Sequence, residues 1–215
     1  MAAPDEFATV LERLARLARS ALLGVWDGME RRTIPRSGEW DEAARPIIEQ
    51  FAAAAVEAST VFAESLGLSE PVSELIVPDA AARVLDPFDR IGAMLKRGEV
   101  GGIESQARGV VEALAHDTVY RTSRQTVASA AGDSTGWVRR ATGKSCDWCL
   151  ALTQNTYHTA ETATFGHDHC DCIPVPFDVI GDHNERIIAS RGMTPDSLLE
   201  KRSEADHRKK LRKSV

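Results

Sequence analysis

A mainly α protein, with a helical body followed by a small Cys/His-rich α+β domain, is the fold class this sequence predicts. Three observations lead there. Alanine is abundant and strand formers are sparse, aromatics being 6% of the 215 residues, a composition that favours helix. Apolar residues recur at three- and four-residue steps through three long stretches of the first 131 residues. All four cysteines fall between Cys146 and Cys172, beyond those stretches. The expected divisions are a helical body at 1–131, a Cys/His-clamped domain at 132–180, and a C-terminal helix with a basic tail at 181–215.

The first helix is marked by Phe7, Val10, Leu11, Leu14, Leu17, Leu22, Val25, Trp26 and Met29, with Arg13, Arg16 and Arg19 on the other side. That pattern is a wide apolar stripe on an amphipathic helix. Pro4 and Asp5 suit its first turn, and the segment from Thr33 to Gly38 breaks it. A second helix is expected from about Trp40 to Leu66, burying Ile47, Ile48, Phe51, Ala55, Ala58, Val61, Phe62 and Leu66. Its alanines from Ala52 to Ala55 permit close helix packing. Pro46 is read as a candidate true start, and Gly67 closes the helix. A connector through Pro71 and Pro78 leads to two shorter helices, Asp79 to Leu85 and Pro87 to Lys96. Glycines at 98, 101 and 102 punctuate the chain again. A long helix follows from Ile103 to Ala131, with Ala107, Val110, Val111, Leu114, Thr118, Val119 and Val127 on one face, and Gly132 ends it.

The texture then changes. The segment from Gly136 to Ala141 alternates and suits a short strand. Ile173-Pro-Val-Pro176 is extended, because prolines exclude helix. Thr194-Pro195-Asp196 opens a last helix, with threonine as cap and proline at the first helical position.

Charge bounds the function classes. The formal net charge is −6, so the chain as a whole is not a polyanion binder. Only the run Arg208, Lys209, Lys210, Arg212 and Lys213 is concentrated positive charge. It reads as a solvated helix end or as a local contact with DNA or an acidic partner. No apolar run approaches the roughly 20 residues that span a bilayer, and no membrane association is expected. Met-Ala-Ala-Pro-Asp-Glu carries no basic region ahead of an apolar one, so no signal peptide is expected. In a reducing cytosol, four cysteines read better as ligands than as disulfides.

The cysteines form a C-x-x-C pair, Cys146 and Cys149, and a C-x-C pair, Cys170 and Cys172, with 20 residues between the pairs. His167 and His169 precede Cys170. Tetrahedral zinc takes four soft or borderline ligands, and two short-range pairs joined by a loop supply them. In an extended C-x-C segment, residues i and i+2 point to one face. The candidate ligands are Cys146, Cys149, His167, Cys170 and Cys172, as four cysteines or as three with the histidine. Such a site is closed and structural, whereas catalytic zinc keeps a position for water. The alternatives are unligated thiols or a disulfide formed after release from the cell. No His-Glu-x-x-His, Gly-x-Ser-x-Gly or P-loop is present.

The motifs continue in a fixed order. Tyr120-Arg-Thr-Ser-Arg124 closes the long helix, and Gly136-Trp-Val-Arg-Arg follows. Then come Gly143-Lys-Ser-Cys-Asp-Trp-Cys149, Tyr157, Thr162 and His167-Asp-His-Cys-Asp-Cys-Ile-Pro174. This order resembles the Mu-F-like minor head (head morphogenesis) proteins of tailed bacteriophages, most of all the variant in phages of actinobacteria described as minor capsid or capsid maturation proteins. The hallmark is Arg-Thr near a helix end, Trp-x-Arg, C-x-x-C and His-x-x-Cys-x-Cys-x-x-x-Pro, which His167, Cys170, Cys172 and Pro176 match in spacing. The resemblance covers roughly residues 105 to 177. Family members usually have proline after the histidine, where this chain has Asp168. The resemblance implies a few-copy structural protein inside the virion head near the portal, acting in head assembly and genome packaging or delivery. Its implied partners are the portal protein and the major capsid or scaffold protein.

Two enzymatic readings compete. A capsid maturation protease would lean on Ser145 beside Cys146 with a nearby histidine. A treble-clef nuclease would lean on His167-Asp-His169, with His183-Asn184 downstream. Arg121 and Arg124 read either as a solvated helix face or as a buried anchor. Trp137 and Trp148 read as the small domain's core, and His116, His158 and His183 as isolated surface residues.

Overall fold

The computed structural model describes residues 4–30, 37–68, 76–77, 103–130, 136–142, 145–155 and 171–198. It is mainly helical with one small strand pair. The chain divides into two compact units, Met1–Ala130 and Ala131–Val215.

The first unit is built from α1 (Pro4–Glu30), α2 (Ser37–Ser65) and α3 (Ile103–Ala130). Phe7 stacks on Phe62 with ring centroids 4.1 Å apart, and Trp26 meets Trp40 edge to face at 5.9 Å. The start of α1 therefore lies beside the end of α2, and the two helices run antiparallel. Asp27 pairs with Arg108, and Arg19 with Glu112 at 2.7 Å, so α3 is also antiparallel to α1. Two helices each antiparallel to a third are parallel to one another. The chain must therefore return along a full helix length, about 40 Å at 1.5 Å per residue, between α2 and α3. That requirement explains why so long a segment separates them. The expected helices at 79–85 and 87–96 fall in it, outside the described residues.

The buried faces are narrower than the sequence suggests. On α1, Phe7, Leu11, Ala18, Leu22 and Trp26 are buried, while Val10 and Leu17, expected on the stripe, are exposed. On α2 the buried line is Trp40, Ala44, Ile48, Ala52, Ala55, Ser59, Phe62 and Ala63, and Val61 is exposed. Pro46 lies inside α2 and does not mark its start. The residue is exposed, so the carbonyl that loses its partner there can turn to water. As expected, Gly67 ends the helix. Its φ is 71°, and Leu68 N–H donates to Ala63 O and Gly67 N–H to Glu64 O at 3.0 and 2.9 Å, a Schellman closure.

The second half of α3 departs most from expectation. Between Thr118 and Val127 only Arg121 is exposed, and Thr122, Ser123, Arg124 and Thr126 are buried. The hydroxyls enter the interior because each finds an acceptor nearby. Thr118 donates to Leu114 O at 2.8 Å and Thr126 to Thr122 O at 2.9 Å. Ser59 donates to Ala55 O at 2.6 Å and lies 3.0 Å from Ser123 Oγ. A hydroxyl bonded to its own preceding turn carries no unsatisfied donor into the core.

The second unit contains β1 (Trp137–Arg140), α4 (Asp147–Leu152), β2 (Ile173–Pro176), α5 (Phe177–Ile180) and α6 (His183–Ser190). The strands pair antiparallel, with Val138 opposite Val175 and Arg139 opposite Pro174. All four residues of β1 are buried, so the expected alternation of exposure is not expressed. Ala141, Leu150, Ala151, Ile188 and Leu198 form one apolar cluster, with Ile187 and Met193 against it. Residues beyond 180, read from sequence as a separate segment, thus share a core with α4. The expected helix start at Thr194 is present. Thr194 Oγ1 accepts from Ser197 N–H at 3.2 Å and Ser197 Oγ from Thr194 N–H at 3.0 Å, a reciprocal capping box. Among the described residues, no helix is long and apolar enough to cross a membrane.

Candidate functional site

The C-x-x-C segment is the mouth of a helix. Cys146 is the N-cap of α4, with extended backbone (φ −73°, ψ 165°), and its sulfur accepts from Cys149 N–H at 3.5 Å. Cys149 lies one turn in and is buried, while Cys146 is exposed. Cys172 stands just before β2. It is buried, and it packs with Cys149 under a partly buried Trp148. Two residues 23 positions apart in sequence therefore meet because the β1–β2 pairing brings the start of β2 back beside α4.

Ser145 completes this end. Its backbone N–H donates to Thr142 O at 3.0 Å, and its Oγ accepts from Thr142 N–H at 2.9 Å. That leaves the hydroxyl proton available to Cys172 Sγ, 3.3 Å away. Ser145 is buried and held by its own turn.

Of the five candidate ligands, Cys149 and Cys172 are brought together and Cys146 stands one turn from Cys149. His167 and Cys170 lie outside the described residues, as do Arg208, Lys209, Lys210, Arg212 and Lys213. No disulfide joins Cys146, Cys149 and Cys172 to one another. Among the described residues alone, no three His, Cys, Asp or Glu side chains converge as a metal-binding group.

Asn184 and His183, named in sequence only as a downstream pair for the nuclease reading and, for His183, as a surface residue, have structural roles that the sequence did not indicate. The even-numbered residues of β1 face β2, since Phe177 N–H donates to Gly136 O at 2.8 Å in the same ladder. Arg139 and Ala141 consequently present their peptide groups on the far edge. Asn184 Nδ2 donates to Arg139 O at 2.7 Å, and its Oδ1 accepts from Ala141 N–H at 2.8 Å. His183 Nε2 lies 2.8 Å from Ala141 O. The carboxamide of Asn184 thus imitates a neighbouring strand. His183 is a half-buried pin rather than a surface residue. The one sequence signal was the helix pattern around them, with Asp182 before and Gly192 after.

The other motif residues are placed as follows. Arg124 is buried and Arg121 exposed, so the two candidate anchors separate. Trp137, Arg139 and Arg140 are buried in β1, which places the Trp-x-Arg motif inside the second unit. Trp137 belongs to its interior, as expected.

No curated protein and no solved structure matches the chain significantly. One family model does, the VG15 protein, over residues 2–205. That match takes in both units and nearly the whole chain. The chain therefore belongs to the VG15 protein family, a family of phage gene products.

Proposed function

We propose that this phage protein is a minor capsid, or head morphogenesis, protein of a tailed bacteriophage. It acts through protein contacts in head assembly and in genome packaging or delivery near the portal. Its place is the capsid interior, and its partners are the portal protein and the major capsid or scaffold protein. The observation that carries the reading is membership of a phage family over residues 2–205, in a chain whose motifs from Arg121 to Pro176 follow the Mu-F-like order.

A structural role is favoured over an enzymatic one by the engagement of the candidate catalytic groups. The Ser145 hydroxyl is occupied by Thr142 and faced by Cys172. Asn184 and His183 are held on the backbone of β1. A nucleophile or general base must instead reach a substrate. The test is made in phage particles. Without this gene product, heads should fail to form or to fill, and a tagged copy should co-purify with the portal. Ser145→Ala and His169→Ala should leave cleavage of every head protein unchanged. Loss of one cleavage product in either variant, with the protein folded, would replace this reading with the protease.

A further inference from the structure

Helices α1 and α2 each carry a second apolar line beside the one they bury. On α1 it runs through Val10, Leu14 and Leu17, and on α2 through Phe51, Ala54, Ala58 and Val61, at steps of four and three residues. Val10 is 44% exposed, Leu17 47% and Val61 54%, and the others are half-buried. That spacing is the one a helix uses along a seam with another helix.

The two lines lie on one face. At about 100° per residue, Val10 and Leu17 fall on one side of the buried line from Phe7 to Trp26. Arg19, which reaches Glu112 of α3, falls on the other. On α2, Ser59 turns to Ser123 of α3 and Phe62 to Phe7 of α1, and Ala54, Ala58 and Val61 lie further round, beyond Phe62. Both lines therefore border the α1–α2 seam on the side away from α3. The meetings of Phe7 with Phe62 and of Trp26 with Trp40 set the register. Val10 stands level with Ala58, Leu14 with Ala54 and Leu17 with Phe51.

The borders of this face carry opposite charge. Exposed Arg13 and Arg16 lie beyond the line on α1, and exposed Glu57 and Glu64 beyond the line on α2. Glu6, at the end of α1, is outside the pattern. Opposite borders make the face complementary to itself. A half-turn about an axis parallel to the helices sets α1 of one copy over α2 of another, antiparallel as α1 and α2 already are. Arg13 then meets Glu57 of the partner subunit, about 3 Å off level, and a twofold axis makes that contact twice. The other face-to-face half-turn would set α1 on α1, with Arg13 and Arg16 against their own copies, which like charges disfavour.

We propose that this face of α1 and α2 docks a second copy of the chain, closing four helices around the exposed apolar lines. The strip is two helix diameters wide and about 20 Å long. That is small for a specific interface, so the dimer is weak, with a dissociation constant in the micromolar range. The charged borders set its orientation more than its affinity.

The experiment is sedimentation equilibrium of the full chain, under reducing conditions so that cysteines cannot cross-link copies, from below to above the micromolar range. It should show a reversible monomer–dimer equilibrium. Leu17→Glu and Val61→Glu should each weaken it about a hundredfold, with the thermal unfolding midpoint unchanged because both side chains are exposed. Arg13→Glu and Glu57→Arg should each weaken it about tenfold, and the double variant should recover the wild-type constant. A chain monomeric at every concentration overturns the proposal. A midpoint lowered by Leu17→Glu would then mean that another stretch of the same chain covers the face, and an unchanged midpoint would leave it to a different protein. A dimer that neither Leu17→Glu nor Val61→Glu weakens also overturns it, as does a double variant no tighter than the single ones.

Discussion

At the scale of single residues, Asn184 does the most with the least. One carboxamide satisfies both a buried carbonyl and a buried amide of β1, at 2.7 and 2.8 Å. Each group left buried without a partner costs about 1–3 kcal/mol, so Asn184→Ala should destabilise the second unit by about 2–6 kcal/mol. Asn184→Asp should do no better, because its second carboxylate oxygen would face Arg139 O. Urea unfolding of the wild type and both variants measures this. An Asn184→Ala midpoint equal to wild type would mean water replaces the side chain at the strand edge. The sequence offered this residue only beside His183 in the nuclease reading, and not as a strand-edge clamp. An asparagine in an eight-residue helix has no periodicity of its own, and its partners lie 43 and 45 positions away.

Elements were legible to the extent that their signals were local. Gly67 and Thr194 close and open helices through bonds to residues within five positions, and both were read correctly. Helix α6 was missed, although it ends as α2 does. Gly192 has φ 64°, Gly192 N–H donates to Ala189 O at 2.9 Å and Met193 N–H to Ile188 O at 3.3 Å, and Met193 packs back on the cluster holding Ile188. A Cβ at Gly67 or Gly192 would meet nothing within 4 Å, so the penalty for a side chain is purely conformational. Gly67→Ala and Gly192→Ala should each cost about 1–2 kcal/mol, and asparagine should lose less because it tolerates the left-handed region. Thermal unfolding of the four variants decides it, and alanine variants as stable as wild type would refute the assignment of these caps. Faces were less legible than ends. Val10 and Leu17 fit the helical period of α1 yet are exposed, because periodicity marks an apolar side without saying how wide a strip the neighbours cover.

For the whole molecule, charge sets what the chain can bind. At net charge −6 it repels DNA over most of its surface, so any DNA contact must be local. Five basic side chains lie in the last eight residues. If each met one phosphate, log affinity would fall against log salt with a slope no steeper than about −4.5, without base preference. Removing residues 207–215 should therefore abolish any DNA affinity of the purified protein. It should leave incorporation into heads intact, since apolar helix packing tolerates salt. Counting this protein per head with and without the tail tests both roles. A truncated chain absent from particles would make the tail the docking element.

What the sequence determined by itself was the class of each region: long helices where apolar residues return every three or four positions, a short strand and an extended proline segment, and cysteines paired by spacing. These are properties of a few neighbouring residues and survive without knowledge of the rest. Only the tertiary structure decided which partners those regions take. The hydroxyl-rich half of α3 is buried because Thr118 and Thr126 bond their own preceding turns and Ser59 meets Ser123 from another helix. Pro174 and Pro176 fit β2 because antiparallel pairing sets them opposite Arg139 and Trp137, at positions whose missing N–H groups would point away from β1. Cys149 and Cys172 meet because that same pairing folds the start of β2 onto α4. Contacts between residues distant in sequence depend on the register of whole elements, and no local pattern encodes register.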